Sequence, residues 1–443
     1  MKKVLLFVLC TLIFLGSINV CATENTDVEV YNLKISHNMD FTTIPESVIR
    51  AADRLVEKYA KEGRKVEINF EKDYQRIDWG EYHNNLLFAN KNGDAPDLFH
   101  MTNLHGLVEA DMLMDLSELA DDKFVENIFS TYSIDGVPYG MPFDLPLRVL
   151  YFNKSGLKHI GWTDEEIKEL PEKIAKGEFT FEEFMETAEK VQAEGGAKFA
   201  LTHRPGSGPD FLEILRTLGG EYYNEDGKLV FDEEAILRFF EYIYENANIK
   251  KITPQDLNQM GWGTINEMVG SGEAFAYYGP LYSCTYVADS VNKTAEELVE
   301  DVTFALFPVS EYHDKAFCVA APQGMGINRN TKYPEICLDL LKELRDESYD
   351  FLAEHASKIF TLSSIKEANK LEVITENPVL QNVTYMADYA ITPPAVKGLS
   401  TFNSELHKQI VVLELGQIEP EEALEEFKTQ LELNLDEEDI IFK

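Results

Sequence analysis

Basic residues are scarce in this chain: 40 Lys+Arg stand against 78 Asp+Glu in 443 residues, a formal charge of -38. Such a field repels phosphate backbones and anionic lipid, which excludes nucleic acid as a partner and favours a soluble monomer. Cysteine is scarcer still. Beyond the first 22 residues only Cys284, Cys318 and Cys337 occur, an odd and widely spaced set that fits neither a disulfide framework nor a zinc pattern. They are expected to be small buried side chains, with stability coming from packing.

After the N-terminal region no apolar run reaches the ~20 residues of a membrane helix. Local catalytic signatures are lacking as well. There is no H-E-x-x-H, G-x-S-x-G or Walker loop, and Gly206-Ser207-Gly208 and Gly270-Ser271-Gly272 have the wrong spacing for a nucleophile elbow. Gly324-Met325-Gly326 lacks the third glycine of a dinucleotide loop. His100 and His105, five apart, would fall on different faces of a helix, against a metal pair. No catalytic residue, metal or cofactor is expected. Among so many acids a carboxyl pair of the kind a glycosidase uses is always present, so a secreted glycoside hydrolase stays open as an alternative.

Apolar residues at 44% and aromatics at 11% place the chain among folded globular proteins. Its length suggests two or three domains at ~150 residues each. Lys2, Lys3, the apolar run Val4 to Leu15 and the small residues after Gly16 read as a secretory signal peptide, residues 1–22. Two endings are compatible with it: cleavage after Ala22, or a lipobox Ile18-Asn19-Val20-Cys21 with Cys21 as lipid anchor. The expected location is extracellular, at the cell surface or in a periplasm.

Strand and helix periodicities then alternate. A helix with Val48, Ile49, Ala52, Leu55, Val56 and Tyr59 on one face precedes a half-buried strand through Val66, Ile68 and Phe70. Thr180-x-x-Glu183 is a capping box opening a second amphipathic helix. Tyr222-Tyr223 and Leu229-Val230-Phe231 flank Asn224-Glu225-Asp226-Gly227 as a hairpin, and after Pro334 the pattern is helical to the end. Alternation of this kind predicts α/β layers with mainly parallel sheets, whose ligands bind beyond the carboxyl ends of the strands. Near predicted strand ends lie Tyr277, Tyr278, Tyr282, Phe143-Asp144 and the isolated Trp262. Rings that cover the C–H face of a sugar, beside carboxylates and amides that take its hydroxyls, make a carbohydrate pocket; for any one ring a place in the core is the simpler explanation.

Several segments in the same order resemble the extracellular solute-binding proteins of ABC importers, of the carbohydrate-uptake type. Asp135-Gly136-Val137-Pro138-Tyr139-Gly140-Met141-Pro142 followed by Val149-Leu150-Tyr151-Phe152-Asn153-Lys154 is similar to that family's G-x-x-Y-G-x-P and Y-Y-N-K segments. Gly93-Asp94-Ala95-Pro96-Asp97, Thr180-Phe181-Glu182-Glu183-Phe184, Gly272-Glu273-Ala274-Phe275-Ala276, Gly326-Ile327 with Pro334-Glu335, and Pro420-Glu421-Glu422-Ala423-Leu424 follow suit. Leu281 and Phe181 stand where the family often has Trp.

The resemblance implies a two-lobed, periplasmic-binding-protein-like (type II) α/β fold with hinge crossings and a helical C-terminal tail. By it, one lobe holds residues 24–143 plus 308–345, the other 147–306 plus 350–443, and Phe143-Asp144-Leu145-Pro146 is a crossing. It also implies capture of a sugar or oligosaccharide for delivery to ABC permease subunits, without chemistry. A peptide or organic anion is the alternative solute. The expected ligand contacts are Asn38, Asp40, Met101, Asn103, Asp144, Trp262, Tyr278, Tyr282 and the return crossing Gln323, Gly324 and Met325. Arg204 is a candidate for an anionic group, with a surface ion pair as the simpler role.

Overall fold

The computed structural model describes residues 28–39, 41–101 and 103–443. The expected signal peptide, Cys21 and Asp40 lie outside the described residues. In chain order the first elements are β1 (Glu29–Asn38), α1 (Thr43–Lys61), β2 (Val66–Gln75), α2 (Trp79–Asn92), β3 (Leu98–His100), β4 (Met141–Pro142), β5 (Asp144–Leu145) and β6 (Leu147–Asn153). Next come α3 (Asp164–Ala175), α4 (Phe181–Ala193), β7 (Phe199–Thr202), α5 (Asp210–Thr217), β8 (Leu229–Phe231), α6 (Glu233–Tyr244), α7 (Trp262–Ser271), β9 (Ala274–Pro280) and α8 (Ser283–Ser290). The last set is β10 (Val302–Ala305), β11 (Cys318–Ala320), β12 (Gly324–Ile327), α9 (Pro334–Asp346), α10 (Tyr349–Ile359), β13 (Leu362–Ser363), β14 (Ala390–Ile391), α11 (Leu399–Glu414), α12 (Pro420–Asn434) and β15 (Ile440–Phe442).

Two sheets result. The first has the order β2-β1-β3-β12-β4 and the second β14-β11-β6-β9-β7, with β10 also on β6. In the first, β1 runs parallel to β2 and β3, β12 is antiparallel to β3, and β4, antiparallel to β12, runs in the direction of the parallel set. In the second, β9 is parallel to β7 and antiparallel to β6. The sheets are therefore mixed, because one strand in each, β12 after the return crossing and β6 after the first, runs against the others.

Each layer follows from its sequence pattern. Helix α1 buries Val48, Ala52, Leu55 and Tyr59 as the periodicity requires, while Ile49 and Val56 are half-buried at its border. Helix α4 starts at the capping box, where Glu183 N–H donates to Thr180 Oγ1 at 3.3 Å and Thr180 N–H to Glu183 at 2.8 Å. Its Phe184 meets Phe152 of β6 edge-on at 5.4 Å, joining helix to sheet. Cys284, Cys318 and Cys337 are buried, and no disulfide joins them among the described residues.

Three sequence expectations are corrected. Leu229–Phe231 does not form its main ladder with Tyr222-Tyr223, which contributes a single bridge from Tyr223; it pairs in parallel with Ile440–Phe442. The tail therefore ends in a strand, too short for periodicity and defined by its distant partner. β11, placed by sequence with the first lobe, hydrogen-bonds to β6 of the second sheet through Val319 and Ala320. Conversely α10, placed with the second lobe, packs on α1, where Arg54 holds Asp350 at 2.7 Å and Arg50 lies 3.8 Å over the Phe351 ring. Phe351, Leu352, Ala356 and Ile359 are buried on α10, and a contact with a helix about 300 residues earlier leaves no mark in the local pattern.

Chain passages between the sheets converge at Asp144. β5 pairs with β13, and the buried Asp144 carboxylate accepts the Gln323 N–H at 2.7 Å and faces His355 Nε2 at 3.4 Å. His355 Nδ1 lies 2.6 Å from Thr43 Oγ1 on α1. The first crossing, the return crossing and α10 are thus tied through one carboxylate.

Candidate functional site

Parallel strands place their carboxyl ends on one edge of a sheet, and the loops beyond those ends are where α/β proteins bind ligands. On the first sheet these ends are Asn38, Gln75 and His100; on the second they are Thr202 and Pro280. The structure brings the two edges together, with the Phe41 ring after β1 lying 6.5 Å from Tyr282 and 6.3 Å from Tyr286 after β9. Between them is a cavity of about 200 Å³ lined by Asn38, Met39, Phe41, Arg76, Ile77, Trp79 and Tyr286. Of the larger hollows, one of about 760 Å³ lies by Asn32, Asp97 and Tyr333 on the first sheet, and two, of about 710 and 680 Å³, lie around Lys176, Tyr385 and Tyr389. Val302, which lines the 680 Å³ hollow, is paired with Asn153 at the end of β6 opposite Arg148 and Pro280, so the two around Lys176 sit away from the facing edges.

Each wall is held rigidly from behind. Trp79 opens α2, whose N-cap Asp78 accepts the Gly80 N–H at 2.8 Å and the Glu81 N–H at 3.2 Å. The ring is 41% exposed and stands edge-on to His100 at 4.9 Å. His100 stacks flat on His37 at 4.4 Å, with 5° between the rings. Nε2 of His37 is 2.8 Å from the Phe41 carbonyl, and Nε2 of His100 is 2.7 Å from Gln323 Oε1. A carbonyl can only accept, so His37 carries its proton on Nε2. The same tautomer is assigned to His100 with the Gln323 oxygen turned toward it. This stack anchors Phe41 on one side and the return crossing on the other.

Burial pulls the His37 pKa down to about 4 and that of His100 to about 3, the neighbouring imidazoles adding to the effect. Both are neutral at physiological pH. Their folded pKa values lie below the ordinary 6.5, so the unfolded chain takes up more protons as pH falls. Stability from this pair is therefore complete above pH 6.5 and declines from there toward pH 4 and below. His407, likewise depressed to about 4 by burial, adds to the slope. His203 opposes it: burial disfavours its charge, but the Glu414 carboxylate at 2.5 Å raises its pKa overall. We expect the melting temperature to fall between pH 7.5 and 4.5, and His100→Gln to flatten that decline when both proteins are melted across the range.

On the second wall, Tyr282 precedes α8 and its phenol is kept protonated by burial. Beside it, Asp210 at the start of α5 is fully buried and takes Arg148 through one oxygen and Arg204 at 2.7 Å through the other. Glu213, one turn on, is also buried, with Arg148 Nε 3.7 Å away. Desolvation raises its pKa well above the ordinary carboxyl value, with the Arg148 charge opposing. Trp262, the first residue of α7, is 45% exposed with the Arg204 guanidinium 5.6 Å from its ring.

The sequence-selected residues divide by position. Arg204, Trp262 and Tyr282 stand together beyond the second sheet, and Gln323 is half-buried behind the first. Asn38 borders the cavity, but its amide is engaged with Ile77, accepting from the N–H at 3.0 Å and donating to the carbonyl at 3.1 Å. Asp144 is closed into the crossing rather than open to a hydroxyl. Met101, Tyr278, Gly324 and Met325 are buried in the packed sheets: a Cβ on Gly324 would come within 2.6 Å of the Met141 carbonyl, and Met101 packs against Gly140 and Gly326. Asn103 caps a short helix by accepting from the Gly106 N–H at 3.3 Å. Phe41, Trp79, Arg76 and Tyr286 were not selected. Phe41, Arg76 and Trp79 follow β1 and β2 within a few residues, so applying the strand-end rule to every parallel strand would have found them; Tyr286 lies one helical turn after Tyr282.

No helix among the described residues is long and apolar enough to cross a membrane. Residues 45–350 match the family model of bacterial extracellular solute-binding proteins. An arabinooligosaccharide-binding protein of Halalkalibacterium halodurans is 23% identical over 314 residues, 68% of this chain and 64% of that protein. Among solved structures, maltose-bound MalE3 of T. maritima superposes with a TM-score of 0.69 at 18% identity, covering 92% of this chain and 100% of that one. A substrate-binding protein of Listeria monocytogenes in complex with cycloalternan gives 0.66 at 15% identity over 91% and 99%. These likenesses show a two-lobed type II binding-protein fold. With the family model spanning more than two-thirds of its length, the chain belongs to the bacterial extracellular solute-binding proteins.

Proposed function

We propose that this protein captures a sugar or short oligosaccharide between its lobes, outside the cell, and passes it unaltered to the permease subunits of an ABC importer. The observation that carries this reading is the meeting of aromatic rings from two separate sheets, Phe41 with Tyr282 and Tyr286, beside a cavity that Phe41, Trp79 and Tyr286 line together with Asn38 and Arg76. Rings suit the C–H faces of pyranoses and furanoses, while amide and phenol groups around them suit hydroxyls. The sugars named for the curated relative and the solved structures support the same class.

Closure is favoured because a ligand touching both walls binds the closed state more tightly than the open one. The lobes we assign follow the expected division, with β11 moved to the second lobe and α10 to the first. The protein acts as a monomer, exported through its N-terminal signal. Mass spectrometry of the mature N-terminus separates lipidated Cys21 from cleavage after Ala22.

Titration with arabinotriose, maltotriose and lactose, followed by tryptophan fluorescence, tests the reading. A saturable change with at least one of them, and recovery of that sugar intact by chromatography, is the expected result. No saturation with any, or recovery of a hydrolysed product, overturns it.

A further inference from the structure

We propose that Arg204 is a positioning residue that holds the Trp262 ring in place as the stacking plate of the second lobe; this rests on the sugar-cleft reading above. Trp262 has little local restraint. It lies between Gly261 and Gly263, neither of which has a neighbour within 4 Å of a would-be Cβ, and the Gly261 N-cap supplies no side-chain bond to the helix. No aromatic ring among the described residues stacks on it. What faces it is the Arg204 guanidinium, 5.6 Å from the ring centre, within the range of a cation–π contact.

Arg204 in turn is fixed at two points. Its Nε donates to the Gly206 carbonyl at 2.8 Å and its Nη1 to the buried Asp210 carboxylate at 2.7 Å. The loop is shaped around it: a Cβ on Gly208 would fall directly on the guanidinium group, so only glycine leaves room there. A planar guanidinium can bond along its edge while presenting a face to an aromatic ring, which an ammonium cannot do. Asp210 also holds Arg148, the second residue of β6 immediately after the first crossing. The plate is thereby referenced to the hinge strand through two ion pairs, and Arg204 serves to orient a ring rather than to take an anion from the ligand.

The test uses the full mature protein labelled with 5-fluorotryptophan, whose three tryptophans give three fluorine resonances assigned by single Trp→Phe replacements. In Arg204→Met and in Gly208→Ala, without ligand, the Trp262 resonance is expected to shift and change width while those of Trp79 and Trp162 stay in place. The dissociation constant for arabinotriose should rise about tenfold in both variants, and Arg204→Lys should recover less than half of that loss on a logarithmic scale. In a Trp262→Ala background, Arg204→Met should add less than twofold. An unmoved Trp262 resonance overturns the inference, and so does an undiminished effect of Arg204→Met in the Trp262→Ala background, which would mean that Arg204 acts on the sugar or the fold directly. Absence of saturable binding by the unsubstituted protein to all three sugars named above is a different result. It would overturn the cleft reading and with it the stacking role, whereas the ligand-free resonance still reports whether Arg204 holds the ring.

Discussion

Alanine at Trp79 or at Tyr282 is expected to weaken sugar binding by at least thirtyfold, with the thermal transition nearly unchanged. Trp79 stands beyond the first sheet, supported from behind by His100 at 4.9 Å, and Tyr282 beyond the second, where its ring meets Phe41 of the first at 6.5 Å. Truncating an aromatic at the centre of a desolvated contact commonly costs about 2 kcal/mol, which corresponds to roughly thirtyfold in affinity. Stability should change little at Trp79, because the ring is 41% exposed and its removal opens no closed cavity. Isothermal titration of both variants with the best-binding sugar of the panel checks this. Wild-type affinity in both would place the ligand elsewhere on the molecule. Loss in Trp79→Ala alone would confine it to the first lobe and remove the basis for closure around it.

Asp210→Ala is the substitution expected to damage the fold most. Asp210 is fully buried and neutralises Arg148 and Arg204, of which Arg148 is only 9% exposed. Removing one partner of a buried ion pair leaves a charge without compensation, at a cost of about 3–5 kcal/mol. The neighbouring Glu213 softens this by one route: burial raises its pKa, and beside an arginine freed of Asp210 its carboxylate form is favoured more strongly. We therefore expect a lowered urea midpoint at pH 7 with an unchanged slope, and a further fall when Glu213→Gln is added to Asp210→Ala. The double variant should cost more than the separate effects of the two substitutions combined. Strict additivity would show that Glu213 does not take over the pairing.

Much of the architecture was legible in the chain because it depends on local periodicity. The face of α1, the capping box of α4 and the strand through Val66 are set by side chains three, four or two apart, and burial follows the pattern. Two of the fold corrections concern pieces of three residues each. β11 and Ile440–Phe442 contain too few alternations to carry a signal, and their partners lie over a hundred residues away in sequence.

The site was legible only in part, and the reason is similar. Sequence showed which residue types suit a sugar and that strand ends are the place to look. It did not show which way each side chain turns. Tyr278 and Tyr282 lie four apart and read alike, yet Tyr278 sits in the strand and is 2% exposed, whereas Tyr282 is past its end and reaches the Phe41 ring. Asp144 lies in the crossing where it was expected, but a buried carboxylate must be hydrogen-bonded, and the Gln323 N–H from a distant segment meets it.

By itself the sequence determined the alternating α/β pattern, the excess of acidic residues and the series of motifs that marks the family. Only the tertiary structure decided which aromatics face one another, which polar groups are consumed in holding the crossings, and that Trp262 leans on Arg204. Local pattern depends on neighbours in the chain, whereas a cleft is made by residues from separate sheets, whose meeting is fixed by packing rather than by spacing.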